Sequence, residues 1–110
     1  MKQIVNLTGH VMNIKDNNGE IIRIPPTGNI ASAISHLNFV ETINDIPLYE
    51  KIYTEIAGIP GYREDVVYLV SSVVGKILQR DDIYCPNRII KDSNGNILYC
   101  TMLVRQKTAW

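Results

Sequence analysis

The segments IKDNNGEI, residues 14–21, and IKDSNGNI, residues 90–97, are nearly the same sequence at two places in the chain. In each, Asn-Gly follows an aspartate and stands between runs of β-branched residues. Asn-Gly accepts positive φ at both central positions of a type I′ turn, which joins the strands of a tight β-hairpin. We therefore predict two hairpins, residues 10–15 with 20–24 and residues 88–92 with 97–104.

The same D-x-N-G pattern also occurs in calcium-binding loops, which require glycine at the sixth position and a bidentate glutamate at the twelfth. Counted from Asp16, glycine is fourth and the twelfth residue is Thr27. The two histidines and two cysteines show no ligand spacing either. We expect hairpin turns here, and no metal and no cofactor.

The aliphatic composition favours strands over helices. The chain has 17 Ile and 9 Val but only 7 Leu, and β-branched side chains pack well on pleated surfaces but lose rotamer freedom in helices. With 110 residues, 45% hydrophobic and 20% charged, the composition is that of one globular domain, residues 1–110.

Several further elements follow from local patterns. Pro25-Pro26 ends the strand that closes at Ile24, because proline cannot donate to a ladder. Residues 29–39 fit both strand and helix spacing, and we favour strand. Residues 39–53 alternate as two strands with a turn at Asn44-Asp45, residues 58–61 form a loop, and the apolar run 66–70 predicts a buried central strand.

The best helix candidate is residues 71–80. Ser71 or Ser72 can cap its N-terminus, and Val73, Val74, Ile77 and Leu78 form an apolar stripe. Gly75 in its interior is expected to cost about 1 kcal/mol relative to alanine. The predicted fold class is α+β, mostly β: an antiparallel sheet with hairpins and one short helix.

Charge and cysteine content limit the partners and the compartment. Eleven basic residues balance eleven acidic ones, which argues against a long nucleic acid or an anionic membrane as partner and allows a small anionic ligand. Cys85 and Cys100 are too few for a disulfide scaffold. The N-terminus lacks an apolar signal-peptide run, and no segment has the roughly 20 apolar residues of a membrane span. We expect a cytoplasmic protein.

Polar residues gather around the predicted helix, and each group has two interpretations. The free backbone N–H groups at Ser71-Ser72 can hold a phosphate, or they can belong to an ordinary helix N-terminus that a serine side chain caps. Arg80-Asp81-Asp82 can bind phosphate and ribose or be a solvated helix end. Tyr84 can stack on a base or pack on the hairpin. No nucleophile with a positioned base is recognisable, so we expect a protein that is not an enzyme.

An ordered set of short motifs resembles a family of small proteins common in phages and prophages. The motifs are N-L-T-G-H at 6–10, I-P-P-T-G at 24–28, D-I-P at 45–47, Y-L-V-S-S at 68–72, R-D-D at 80–82 and I-Y-C-P at 83–86. Gly9 replaces a proline of the family pattern. This group is similar to the phage anti-Thoeris sponges, which bind cyclic ADP-ribose isomers, and in some cases cyclic oligonucleotides, without cleaving them.

That resemblance implies stoichiometric sequestration of a cyclic nucleotide by a homo-oligomer, a dimer or higher, in the host cell cytoplasm. The alternative is a small phage protein that binds a host defence or virion protein. The roles that the resemblance implies are pyrophosphate binding by Arg80, ribose binding by Asp81 or Asp82, base stacking by Tyr84 or Tyr68, and pocket lining in the same or a neighbouring subunit by Asn6, Thr8 and His10.

Overall fold

The structure, a computed structural model, describes residues 1–109, which form eight strands and one helix. Strands account for 52% of the chain, so the predicted class, α+β and mostly β, is confirmed. In chain order the elements are β1 (Gln3–Asn6), β2 (Met12–Lys15), β3 (Ile21–Ile24), β4 (Ser32–Ile43), β5 (Ile46–Ala57), β6 (Val66–Leu69), α1 (Ser72–Ile77), β7 (Ile83–Lys91) and β8 (Ile97–Val104).

Both predicted hairpins are present, as β2–β3 and β7–β8. Their turns differ from the predicted type I′ geometry: Gly19 and Gly95 take positive φ (+82° and +84°), whereas the asparagines before them do not. The aspartate at the start of each turn sets this backbone geometry through side-chain hydrogen bonds. Oδ1 of Asp16 accepts the backbone N–H groups of Asn18 and Glu20 at 2.8 and 3.0 Å, and Asp92 repeats both bonds.

Six strands form one sheet in the order β1-β6-β7-β8-β2-β3. The predicted antiparallel pairing holds for the hairpins, but β6 runs parallel to both β1 and β7, and β2 runs parallel to β8. The sheet is therefore mixed. As predicted, every residue of β6 is buried, because strands lie on either side of it and the core covers both of its faces. It is not central, however, but second from the edge of the sheet, between β1 and β7.

The core occupies both faces of this sheet. On one face Leu7, Val70 and Val74 pack with Tyr68 and Ile83 beneath the helix. On the other face Ile14, Leu69 and Cys100 form a smaller cluster. No helix among residues 1–109 is long and apolar enough to cross a membrane.

The helix is shorter than predicted. It covers Ser72–Ile77 rather than residues 71–80, with Ser71 as N-cap and Leu78 as C-cap. The expected four-residue stripe does not form either, because Val74 and Gly75 face the sheet while Val73 and Ile77 are about 40% exposed. The chain leaves the helix early and continues through Arg80 into β7.

Strands β4 and β5 make a separate two-stranded sheet that projects from the rest of the molecule. We call residues 32–57 the arm. Its two 12-residue strands confirm the strand predicted for residues 29–39 from Ser32 onward, while residues 29–31 lie outside it. The turn at Asn44-Asp45 is also confirmed, and both of its residues take positive φ as in a type I′ turn. The arm raises the radius of gyration to 16.9 Å, against about 13 Å for a compact domain of this length.

Candidate functional site

The nine residues predicted to form a site lie in three different places. Asn6, Thr8, His10 and Ser71 are near the base of the arm, and Ser72 is exposed on the helix beside Ser71. Arg80 and Asp82 form a pair on the loop that precedes β7. Asp81 and Tyr84 lie on another surface, near Arg105. Within one chain these residues do not form a single pocket.

The side chain of Asn6, the last residue of β1, connects the two edge strands of the six-stranded sheet, β1 and β3. Its Nδ2 donates to the carbonyl oxygens of His10 and Ile24 at 2.8 and 3.0 Å, and its Oδ1 accepts the backbone N–H and the hydroxyl of Thr8 at 2.9 and 2.6 Å. The side chain is buried and all four of its hydrogen-bonding positions are used. Asn6 therefore fixes the chain between β1 and β2, and it presents Thr8 and His10 to the cleft described below.

Arg80 and Asp82 form a bidentate ion pair. Nε and Nη2 of Arg80 donate to Oδ1 and Oδ2 of Asp82 at 2.9 and 2.6 Å, while Nη1 donates to the carbonyl oxygen of Pro60 at 3.0 Å. Each guanidinium nitrogen thus has a partner within the chain. Asp82 is 3% exposed and Arg80 is 31% exposed, so the pair fastens the 58–61 loop to the start of β7.

The Arg80 guanidinium, bonded to both carboxylate oxygens, holds the pKa of Asp82 below its ordinary value of 3.8, while the same bonds raise the pKa of Arg80. Because the lowered pKa belongs to the folded state, Asp82 stabilises the fold above the unfolded-state pKa. That contribution is lost as the pH falls through 3.8 and below.

We expect the stability difference between the wild type and Arg80→Ala to be largest at neutral pH and to shrink as the pH is lowered from 5 to 3. Without Arg80, burial disfavours the Asp82 carboxylate, so acid removes stability from the wild type but not from the variant at this site. Urea unfolding midpoints of both proteins across this range measure the effect. A difference that stays constant with pH would contradict it.

Tyr84 and Asp81 contribute to a third, more open surface. The guanidinium of Arg105 lies 5.6 Å from the centre of the Tyr84 ring, which is cation–π geometry. Arg105 and Lys107 approach Oδ1 of Asp81 at 3.7 and 3.5 Å. Tyr68, the other residue expected to stack on a base, is buried in the core, and its hydroxyl donates to the Gly61 carbonyl oxygen at 3.3 Å.

A cleft of about 410 Å³ lies between the base of the arm, the helix and the turn after β1. It contains three of the residues predicted from sequence, Thr8, His10 and Ser71. Ser71 also caps the helix, since its Oγ accepts the N–H of Val74 at 3.4 Å. This cleft is the candidate site, because it is larger than the apolar pocket beside β7 and β8, at about 150 Å³, and contains more of the predicted residues.

The arm contributes cleft residues that sequence reasoning missed: Ser32, Ser35, Lys51 and Tyr53. Lys51 Nζ lies 5.5 Å from the centre of the Tyr53 ring, which places a cation and an aromatic ring side by side at the cleft. Alternation along β5 predicts that Lys51 and Tyr53 lie on one face of the arm, because residues two apart on one strand share a face. That alternation does not indicate which face of the arm meets the cleft.

Residues 1–109 contain no group of three or more His, Cys, Asp or Glu side chains arranged to hold a metal ion. Cys85 and Cys100 are buried free thiols, and burial raises the pKa of Cys100. Comparisons with models of protein families, with curated proteins and with solved structures find no match to this chain.

Proposed function

We propose that this protein sequesters a small cyclic nucleotide signal, a cyclic ADP-ribose isomer or a cyclic oligonucleotide, in the host cell cytoplasm without cleaving it. The observation that carries the proposal is the cleft at the base of the arm. Its volume, about 410 Å³, lies within the roughly 300–1,000 Å³ of small-molecule sites. The motif resemblance supplies the ligand class.

The chemistry of the cleft supports an anionic ligand with a flat ring. Lys51 provides a positive charge for a phosphate, and Tyr53 provides a ring on which a base can stack. The hydroxyls of Ser32 and Ser35 both donate and accept, as recognition of ribose requires, whereas the Thr8 hydroxyl already donates to Asn6. The balanced net charge also suits a small anion better than a polymer, whose binding depends on a strongly basic face.

Sequestration and cleavage leave different products, so one experiment separates them. The protein is mixed with a cyclic ADP-ribose isomer or a cyclic oligonucleotide, freed of unbound ligand by filtration, and heated to release what it holds. Mass spectrometry of the released material should show intact ligand in a fixed ratio to protein. A processed ligand would mean an enzyme, and no uptake would contradict the proposal.

Replacing Lys51 by alanine should weaken binding of the same ligand at least about tenfold. A hydrogen bond to a charged group contributes about 1.5–3 kcal/mol, and 1.4 kcal/mol corresponds to a factor of ten. Isothermal titration calorimetry measures the change. Lys15→Ala is the matched control, because Lys15 lies in the same way over Tyr99, at 5.4 Å, and does not line the cleft.

The same titrations distinguish the cleft from the surface that holds Asp81 and Tyr84. If Lys51→Ala binds as the wild type does while Arg105→Ala or Asp81→Ala loses the ligand, the binding site is the surface around Tyr84 and the cleft assignment is wrong.

A further inference from the structure

The strand register divides the side chains of the arm between two faces. One face turns towards the cleft and carries Ser35, Lys51 and Tyr53. Successive side chains on a strand point to opposite faces. Once the two register shifts of the arm are counted, every glutamate of its strands falls on the face away from the cleft. We call this the acidic face, defined by Glu41, Glu50 and Glu55.

The acidic face also carries five exposed aliphatic side chains. They lie between 36% and 66% exposed, and they are Ile34, Ile43, Ile46, Leu48 and Ile52. Ile34 is directly opposite Glu55, and Leu48 is directly opposite Glu41. None of the five belongs to either core cluster. An apolar patch of this kind, interrupted and bordered by charged residues, marks a surface that binds a partner.

The charge of the arm differs from that of the rest of the chain. Residues 32–57 contain four carboxylates and one lysine, so the arm carries a net charge of −3 and the balanced chain leaves +3 on the other residues. The lysine, Lys51, lies on the cleft face, and the other basic side chain on the acidic face is His36. No ion pair within residues 1–109 involves any of the three glutamates. Their charge therefore has no compensating cation inside the described chain.

Charge and shape together define the chemistry of the occupant. Carboxylates repel the phosphates of nucleic acids and of anionic membranes, and the aliphatic residues require apolar contacts. The arm is two strands wide, with strands about 4.8 Å apart, a width that one α-helix of about 10 Å diameter covers. A helix with an apolar stripe flanked by Lys and Arg supplies both kinds of contact.

This chain does not supply such a helix to itself. The only helix of the described residues, α1, has six residues and one lysine, Lys76. A second acidic face is also unsuitable, because a two-fold axis would bring identical carboxylates together, and like charges facing each other oppose association. The occupant is therefore a segment of a different protein.

We infer that the acidic face of the arm docks a basic amphipathic helix of another protein. The aliphatic residues receive its apolar stripe, and the three glutamates receive its cations. Because the acidic face and the cleft lie on opposite sides of the arm, this inference does not depend on the proposed ligand, and both can be occupied at once.

Methyl NMR locates the site directly, with a helical peptide of leucine and lysine, leucines on one face, as the probe. In protein labelled at the isoleucine δ1 methyl groups, four signals should shift on titration: Ile34, Ile43, Ile46 and Ile52. The methyl groups of Ile21 and Ile22 on β3, which are 50% and 45% exposed, should not shift. Shifts confined to β3, or equal binding of a peptide with glutamate in place of lysine, would overturn the inference.

Fluorescence anisotropy of the labelled peptide measures the contribution of charge with two matched variants. Glu50→Lys replaces an attraction by a repulsion, so the dissociation constant should rise at least about tenfold. Glu64→Lys changes the net charge equally at an exposed glutamate outside the arm, and the dissociation constant should stay within about twofold. Equal weakening in both variants would mean that the peptide responds only to net charge, which contradicts a site on the acidic face.

A second pair of variants tests the apolar contact. Ile52→Thr keeps a β-branched side chain but removes apolar surface, and the dissociation constant should rise about fourfold. Ile22→Thr, at similar exposure on β3, should bind as the wild type does. Circular dichroism checks that all variants keep their strand content. Shifts of the same four methyl groups with protein concentration, in the absence of peptide, would show that a second copy covers the face and would overturn the inference.

Discussion

Replacing Arg80 by alanine is expected to lower the melting temperature by about 10 °C. Asp82 is 3% exposed, and without Arg80 its carboxylate stays buried with no cation. Removing one partner of a buried pair costs about 3–5 kcal/mol. Because Arg80 is 31% exposed, water can partly replace it, so we expect about 2–3 kcal/mol, which for a domain of this size corresponds to roughly 10 °C.

Two further variants sharpen this prediction. Arg80→Lys keeps the charge but not the planar fork, so its melting temperature should fall between those of the wild type and Arg80→Ala. Arg105→Ala is the control: it removes an arginine from an exposed pair, with Asp81 at 3.7 Å, and exposed pairs contribute little to stability. Calorimetry measures all three. An Arg80→Ala protein as stable as Arg105→Ala would show that the bidentate pair does not stabilise the fold.

This prediction reverses the expectation for an arginine at a solvated helix end, whose loss barely affects folding. The difference comes from the burial of Asp82 and from the bond between Arg80 and the Pro60 carbonyl oxygen. The Pro60 carbonyl belongs to the loop at 58–61, which lies about 20 residues earlier in the chain. The R-D-D motif by itself contains no information about that loop.

Replacing Gly75 by alanine is expected to destabilise the protein by about 2 kcal/mol. A Cβ at this position would overlap Sγ of Cys85 on β7 and would come within 3.2 Å of Nε2 of Gln106. Overpacking of this kind typically costs about 1–3 kcal/mol or somewhat more. It outweighs the gain of about 1 kcal/mol that alanine brings to a helix interior. Chemical denaturation of the wild type and the variant measures the difference.

Gly61→Ala is the matched control, because a Cβ there meets nothing within 4 Å, and its stability should be unchanged or slightly higher. Combining Gly75→Ala with Cys85→Ala removes the sulfur that the new methyl group meets. The double variant should lose less stability than the sum of the two single losses, as coupled neighbours do. Strictly additive losses would contradict the close approach of α1 and β7.

Some features of this protein are readable from short segments of sequence. The D-x-N-G segments form hairpin turns because the aspartate and the glycine act within five residues of each other. Pro25 ends β3 because it has no N–H to donate. The apolar run from Val66 gives a buried strand, and Ser71 caps the helix with its own side chain. Each of these outcomes depends on neighbours in the chain.

Other features depend on segments far apart in the chain, and local patterns do not specify them. The parallel pairing of β6 with β1 joins residues more than 60 positions apart. Glycine at position 75 is unfavourable in an isolated helix, but the close approach of β7 leaves no room for a Cβ there. The distribution of Arg80, Tyr84 and Thr8 over three surfaces follows from the same long-range packing. Sequence by itself determined the two hairpins, the strands of the arm and the buried run of β6, but neither β1 nor the parallel pairings of β6. Only the tertiary structure decided which side chains meet, because contacts between distant segments depend on how the whole sheet closes and on where the arm leaves it.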